Sequence, residues 1–160
     1  MKIDFNTLYN REEGDMKLTV YITKEEVAKI CGELKIRDWT KLKEVKVPPK
    51  EAKTILNVVN VEKMAINPEQ FRAGLEVELE HGIRFKDANV TNNHPLVTGM
   101  IVLAHMKESL DYYRLLEVAE LEGDLVKAIA AGNAKKTKDY YKRLAEARIE
   151  LAKAELAQVK

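Results

Sequence analysis

Two short motifs hold most of the chemical potential of this 160-residue chain, Glu78-x-x-His81 and His105-x-x-Glu108. They are mirror images. Residues three apart share a face of a helix, so two antiparallel helices would bring four potential ligands together. Neutral imidazole plus carboxylate is a donor set suited to iron, manganese or zinc, and carboxylate-bridged di-iron bundles take Glu-x-x-His from two helices. Those bundles also need two further Glu from other helices. Glu26, Glu33, Glu51 and Glu62 lie on other helical segments, but none has a clear place on an apolar face. Two readings without metal fit the same four residues. One is a register lock, in which His–Glu pairs form buried ion pairs or hydrogen bonds; the other is catalysis without metal. His94, directly before Pro95, is expected to cap a helix or face solvent, with a third metal-binding imidazole as the alternative. Tyr112 and Tyr113 can donate hydrogen bonds from packed positions.

The elements that must position these groups read as helices. Thr23-Lys-Glu-Glu26 is a capping box and predicts a helix to about Leu34, with Val27, Ile30 and Leu34 on one face. The preceding Lys17–Ile22 run is β-branched but has no evident partner strand, so Ile22 is expected to staple that helix. Val47-Pro48-Pro49 reads as an extended connector, after which Ala52, Ile55, Leu56 and Val59 repeat at helical spacing. Asn67-Pro68-Glu69-Gln70 combines an Asn cap, Pro at the first helical position and Gln at the third. That helix is expected to run to His81, with Gly82 as a left-handed stop. Gly74 and Gly99 would let neighbouring helices approach closely.

Pro95 opens a helix expected to reach about Glu122, with Val97, Ile101, Ala104, His105, Glu108, Tyr112 and Leu115 on one face. Gly123-Asp124 is expected to break the chain. A last helix then covers about 125–158, with a candidate interruption at Gly132-Asn133. Its stripe of Tyr140, Leu144, Ala147, Leu151 and Ala154 is Ala-rich, like a close-packed seam. The expected fold is all-α: a single compact bundle of about five helices, with residues 1–15 as a loose lead-in.

Composition bounds the function. The chain is 46% hydrophobic and 33% charged, ordinary for a globular domain, and its net charge of +1 argues against strongly electrostatic nucleic-acid binding. Charge is uneven, however: residues 62–122 carry 6 basic and 11 acidic side chains, residues 123–160 carry 9 and 5. An acidic middle and a basic tail would attract each other within the fold or between subunits. The tail KKTKDYYKRLAEAR interleaves Lys and Arg with Tyr140 and Tyr141, a pattern that also admits phosphate contacts. Lys and Glu dominate the charges and Gln is scarce, which hints at thermostability. No apolar run reaches the roughly 18 residues of a membrane helix, and no secretory leader is evident. The lone Cys31 leaves no internal disulfide and fits a reducing compartment, so a cytoplasmic location is expected. There is no P-loop, no dinucleotide fingerprint and no C-x-x-C.

FRAGLEVELEHG (71–82), NVTNNHP (89–95), TGMIVLAH (98–105) and KESLDYYRLLE (107–117) together resemble an uncharacterised family, a domain of unknown function in small proteins of bacteria, archaea and phages. KEEVAKICGELKI–DW (24–39) looks like the entry helix to that core. Residues 41–66 look like an insertion relative to the family, the chain beyond Glu122 like an extension, and His94 stands where an acidic residue is expected. The resemblance implies no activity, substrate or cofactor. The leading expectation is a non-enzymatic structural or interaction protein, as a homodimer through its last helix or with another protein partner. The alternatives are a metal-binding bundle at Glu78, His81, His105 and Glu108, and weak nucleic-acid binding by the basic C-terminal helix.

Overall fold

The structure, a computed structural model, describes residues 10–12, 15–17 and 22–159. The fold is all-α, with six α-helices among the described residues: α1 (Lys24–Leu34), α2 (Pro49–Val59), α3 (Pro68–Arg84), α4 (Pro95–Glu108), α5 (Tyr112–Ala130) and the long C-terminal α6 (Ala134–Gln158). A small antiparallel ribbon precedes them, β1 (Asn10–Glu12) with β2 (Asp15–Lys17), pairing Asn10 with Lys17 and Glu12 with Asp15. The lead-in thus carries a strand pair whose three-residue runs are too short to announce themselves in the sequence. The rest of the Lys17–Ile22 run, residues 18–21, lies outside the described residues.

The caps follow the sequence. Thr23 Oγ1 accepts the Glu26 amide at 3.2 Å, and Ile22 packs against the core as a staple would. Asn67 Oδ1 accepts the amides of Glu69 and Gln70 at 2.8 and 3.3 Å. His94 is a buried cap, its Nδ1 accepting the Val97 amide at 3.3 Å.

Three boundaries differ from expectation. α3 does not stop at Gly82 but runs on to Arg84, with Gly82 inside it. A Cβ there would collide with Asn93 Oδ1, so this glycine makes room for the 89–93 loop and does not end the helix. The helix opened by Pro95 ends at Glu108. Ser109 is extended, its Oγ accepts the Asp111 amide at 3.2 Å, and α5 starts afresh. Gly123 breaks nothing: α5 passes through it, because one exposed glycine costs about 1 kcal/mol against packing of the whole helix. The chain turns instead at Gly132, with φ +64°, before the Asn133 cap of α6.

α3 is the central helix, touching α2, α4 and α5. Phe71, Leu75 and Leu79 descend one face of it into a core shared with Val27, Trp39, Ile55, Val102 and Met106, all 2% exposed or less. Residues 41–66 are integral, since Val47, Ala52, Ile55 and Leu56 belong to that core. α6 packs chiefly along α5, through the expected stripe: Leu144 is buried, and Tyr140, Ala147, Leu151 and Ala154 half-buried. Among the described residues no helix is long and apolar enough to cross a membrane.

Candidate functional site

Gly74 is the notch on which the site is built. A Cβ at this position would lie 2.5 Å from Cε2 of Tyr113 and 2.7 Å from Cγ1 of Val102. Only glycine lets the Tyr113 ring approach α3 this closely. One helical turn along α3, the Tyr113 hydroxyl donates to Glu78 Oε1 at 2.9 Å. Burial first, and then the charge of and hydrogen bond to Glu78, push the Tyr113 phenol far above its usual range, so near neutral pH it is a committed donor.

His105 comes to the same carboxylate from α4. Its ring stacks on Tyr112 with centroids 4.1 Å apart and planes 9° from parallel, and meets the Tyr113 ring edge-on. Its Nε2 lies 3.7 Å from Glu78 Oε1, while His81 Nδ1 lies 3.8 Å from Oε2. Both separations exceed a hydrogen bond. The structure therefore gathers Glu78, His81 and His105, with Tyr112 and Tyr113 around them.

Glu108 is not brought in. It ends α4 exposed to solvent, and no hydrogen bond or ion pair among the described residues links it to the other three. The face expected for α4 is also rotated: Thr98, Gly99, Val102 and Met106 are buried, whereas Ala104 is exposed. α4 is apolar nearly all round, so its periodicity does not say which side faces inward. Among the described residues, no group of three or more His, Cys, Asp or Glu is arranged to hold a metal ion.

Glu78 is unlike the other sequestered carboxylates. Glu51, Glu76 and Asp111 have side chains 9, 13 and 6% exposed, and each is met by Arg or Lys: Arg37 for Glu51, Lys46 and Arg72 for Glu76, Arg114 for Asp111. Glu78, at 14%, receives only the Tyr113 hydroxyl and faces two imidazoles. Beside it a cleft of about 320 Å³ opens, walled by Phe85, Val90 and Ile101, with Asn89 and Thr98 as polar points. The 89–93 loop that roofs this cleft is tied down: Asn89 Nδ2 donates to Gly82 O at 3.1 Å, and the Asn93 amide to Thr91 Oγ1 at 3.1 Å.

Glu51 is a buried group that periodicity misses. The Arg37 guanidinium reaches Oε1 at 2.8 Å, the Arg37 amide reaches it at 3.1 Å, and Trp39 Nε1 reaches Oε2 at 3.2 Å. Burial raises this carboxyl, but the Arg37 and Trp39 hydrogen bonds overcome it and hold the group below the usual carboxylate range. Its role is to fasten the 35–48 connector to α2. No local pattern in the sequence signals it, because Arg37 and Trp39 are separated from Glu51 by the connector that they fasten.

The α5–α6 hairpin presents a different kind of surface. Beyond the seam between them, each helix carries a second apolar stripe, wholly exposed: Leu115, Ala119, Val126 and Ile129 on α5, and Tyr141, Ala145, Ile149, Ala152 and Leu156 on α6. Glu122, within the first stripe, accepts from Arg148, which adjoins Ile149 of the second, at 2.6 Å. That pair sets both stripes on one flank of the hairpin.

No curated protein and no solved structure matches the chain. Residues 27–122, from within α1 to the middle of α5, match the family described as "Protein of unknown function (DUF5661)". That span is three fifths of the chain and contains Glu78, His81, His105, Tyr112 and Tyr113, so the protein belongs to the DUF5661 family, whose function is unknown.

Proposed function

We propose that this protein is a non-enzymatic helical interaction protein that acts as a homodimer, the α5–α6 hairpins of two copies pairing side by side into a four-helix bundle. The observation that carries the reading is the double stripe. A two-helix hairpin with one seam satisfied and a second apolar face open on both helices is half of such a bundle. Leu115, Val126, Ile129, Tyr141, Ile149 and Leu156 are each 45% or more exposed, a contiguous patch of the kind that marks an interface.

Charge favours a second copy as the partner. α5 carries four acidic and two basic side chains, net −2, and α6 carries seven basic and four acidic, net +3. Pairing two hairpins so that each α6 meets the other α5 places opposite charge around the apolar stripe, which gives specificity and register.

Light scattering of the full chain across a concentration series tests this. The expected mass is twice the 18.3 kDa of the single chain. In Ile149→Glu, a carboxylate in the middle of the stripe should return the single-chain mass while helical circular dichroism is retained. A wild-type protein that stays at the single-chain mass at millimolar concentration would overturn the proposal.

A further inference from the structure

We propose that the cleft beside Glu78 is a binding site for a small organic cation, an alkylammonium or alkylguanidinium headgroup whose N–H donors pair with a carboxylate that no Arg or Lys meets. The carboxylates themselves give the first reason. Taking a carboxylate out of water is costly unless a cation or strong donors compensate it. This chain compensates Glu51, Glu76 and Asp111 with its own Arg and Lys side chains. At Glu78 it provides no Arg or Lys: the Tyr113 phenol donates to Oε1, and His105 Nε2 and His81 Nδ1 stand 3.7 and 3.8 Å from Oε1 and Oε2, beyond hydrogen-bond reach. One hydrogen bond, from Tyr113, holds the carboxylate, and the Gly74 notch seats the ring that donates it.

The surroundings select the kind of cation. His81 lines the cleft beside the carboxylate, and a neutral imidazole can accept a further N–H group. Phe85, Val90 and Ile101 offer an apolar and aromatic wall for a short alkyl stem, and an aromatic face attracts a cation. Phe85 already takes one guanidinium in this way, with Arg84 Cζ 5.5 Å from its ring centroid. A cleft of about 320 Å³ is at the small end of ligand sites, enough for a headgroup and a few methylenes. A metal ion fits less well, since among the described residues no three donor side chains are arranged to share one. This site involves α3, α4, the 89–93 loop and Tyr113 at the start of α5, and uses none of the exposed stripe residues of the α5–α6 pairing.

The test is a titration of the full-length protein with n-butylammonium chloride and, separately, methylguanidinium chloride, followed by amide and side-chain NMR at constant ionic strength, with potassium chloride as the control. Saturable shifts are expected at Glu78, Thr98, Ile101 and the 89–93 loop, with a rise in melting temperature that potassium does not give. Glu78→Gln keeps the shape and the Tyr113 contact but removes the charge, and should weaken binding at least tenfold. Glu80→Gln, the same charge change on an exposed side chain of α3, should leave binding unchanged. The wild-type titration decides the matter even if Glu78→Gln does not fold. No saturable response to either cation, equal loss in Glu78→Gln and Glu80→Gln, or a response to Zn²⁺, Mn²⁺ or Fe²⁺ alone would each overturn the proposal.

Discussion

Replacing Gly74 by alanine tests the notch directly, because the same substitution at Gly123 should have the opposite sign. In a helix interior, Gly→Ala gains about 1 kcal/mol from backbone propensity alone. At Gly123 nothing lies within 4 Å of the new methyl, so that gain should appear in full. At Gly74 the methyl would stand 2.5 Å from Tyr113 Cε2 and 2.7 Å from Val102 Cγ1, both in the buried core. Overpacking of this kind costs about 1–3 kcal/mol. Displacing the Tyr113 ring also breaks its 2.9 Å bond to Glu78, and a hydrogen bond to a charged group contributes about 1.5–3 kcal/mol. Set against the propensity gain, the net for Gly74→Ala is a loss of about 3 kcal/mol. In a domain of this size that lowers the thermal midpoint by roughly 6–12 °C, whereas Gly123→Ala should raise it by roughly 2–4 °C. Thermal unfolding followed by circular dichroism measures both variants side by side. A Gly74→Ala protein as stable as Gly123→Ala would show that the ring does not need the notch, and the account of how Glu78 is held would fail.

Glu51→Gln should cost about 1–3 kcal/mol, because it weakens the charge-assisted hydrogen bonds from Arg37 and Trp39 at a side chain 9% exposed, while Arg37, 44% exposed, stays solvated; urea midpoints give the value. Glu51 and Glu76 have folded pKa values below their unfolded value of 4.5, so their contribution is complete above pH 4.5 and lost as pH falls through the folded values. Stability measured from about pH 6 to about pH 3 should decline accordingly, and less in Glu51→Gln. Tyr113 has the opposite sign: its folded pKa is raised above 10.0, so its contribution is intact below pH 10 and lost as pH rises beyond it. In an alkaline titration followed by phenolate absorbance, the Tyr113 phenol should ionise only on unfolding, and Tyr113→Phe should remove that late step. Cys31 is buried and its thiol is pushed up by that burial, so labelling by a thiol reagent in mildly alkaline buffer should proceed at the rate of unfolding.

Much of the scaffold is legible in the sequence because its signals are local. The Thr23, Asn67 and His94 caps and the α6 seam depend on residues within a few turns of one another. Glycine is where the reading fails, since a glycine means different things in different surroundings. Gly82 has the form of a helix stop and Gly123 that of a break, yet the first is a close approach by Asn93 and the second is a tolerated interior residue. What separates them is a contact from a loop beyond the end of the helix, which no local pattern encodes. α4 shows a second limit: a segment apolar on every side fixes the existence of a helix but not its rotation. Periodicity under that ambiguity puts Glu108 on the inward face, whereas its side chain is exposed to solvent.

The same reasoning explains why Glu78 is visible in the sequence and Glu51 is not. Glu78 sits at i+3 and i+4 from Leu75 and Gly74, inside an apolar stripe, so its desolvation cost can be read from residue spacing alone. Glu51 lies in the first turn of α2, a position where a carboxylate is favoured by the helix dipole whether or not it is buried. Only the fold reveals that Arg37 and Trp39 converge on it. A carboxylate completed by its own chain is part of the frame, and mutating it should change stability. A carboxylate held by one phenol and met by no Arg or Lys is different: adding a cation should change stability there, and the wild-type protein alone is enough to show it. That contrast, drawn between two glutamates of one core, is what gives the first a structural role and makes the second the place to look for a ligand.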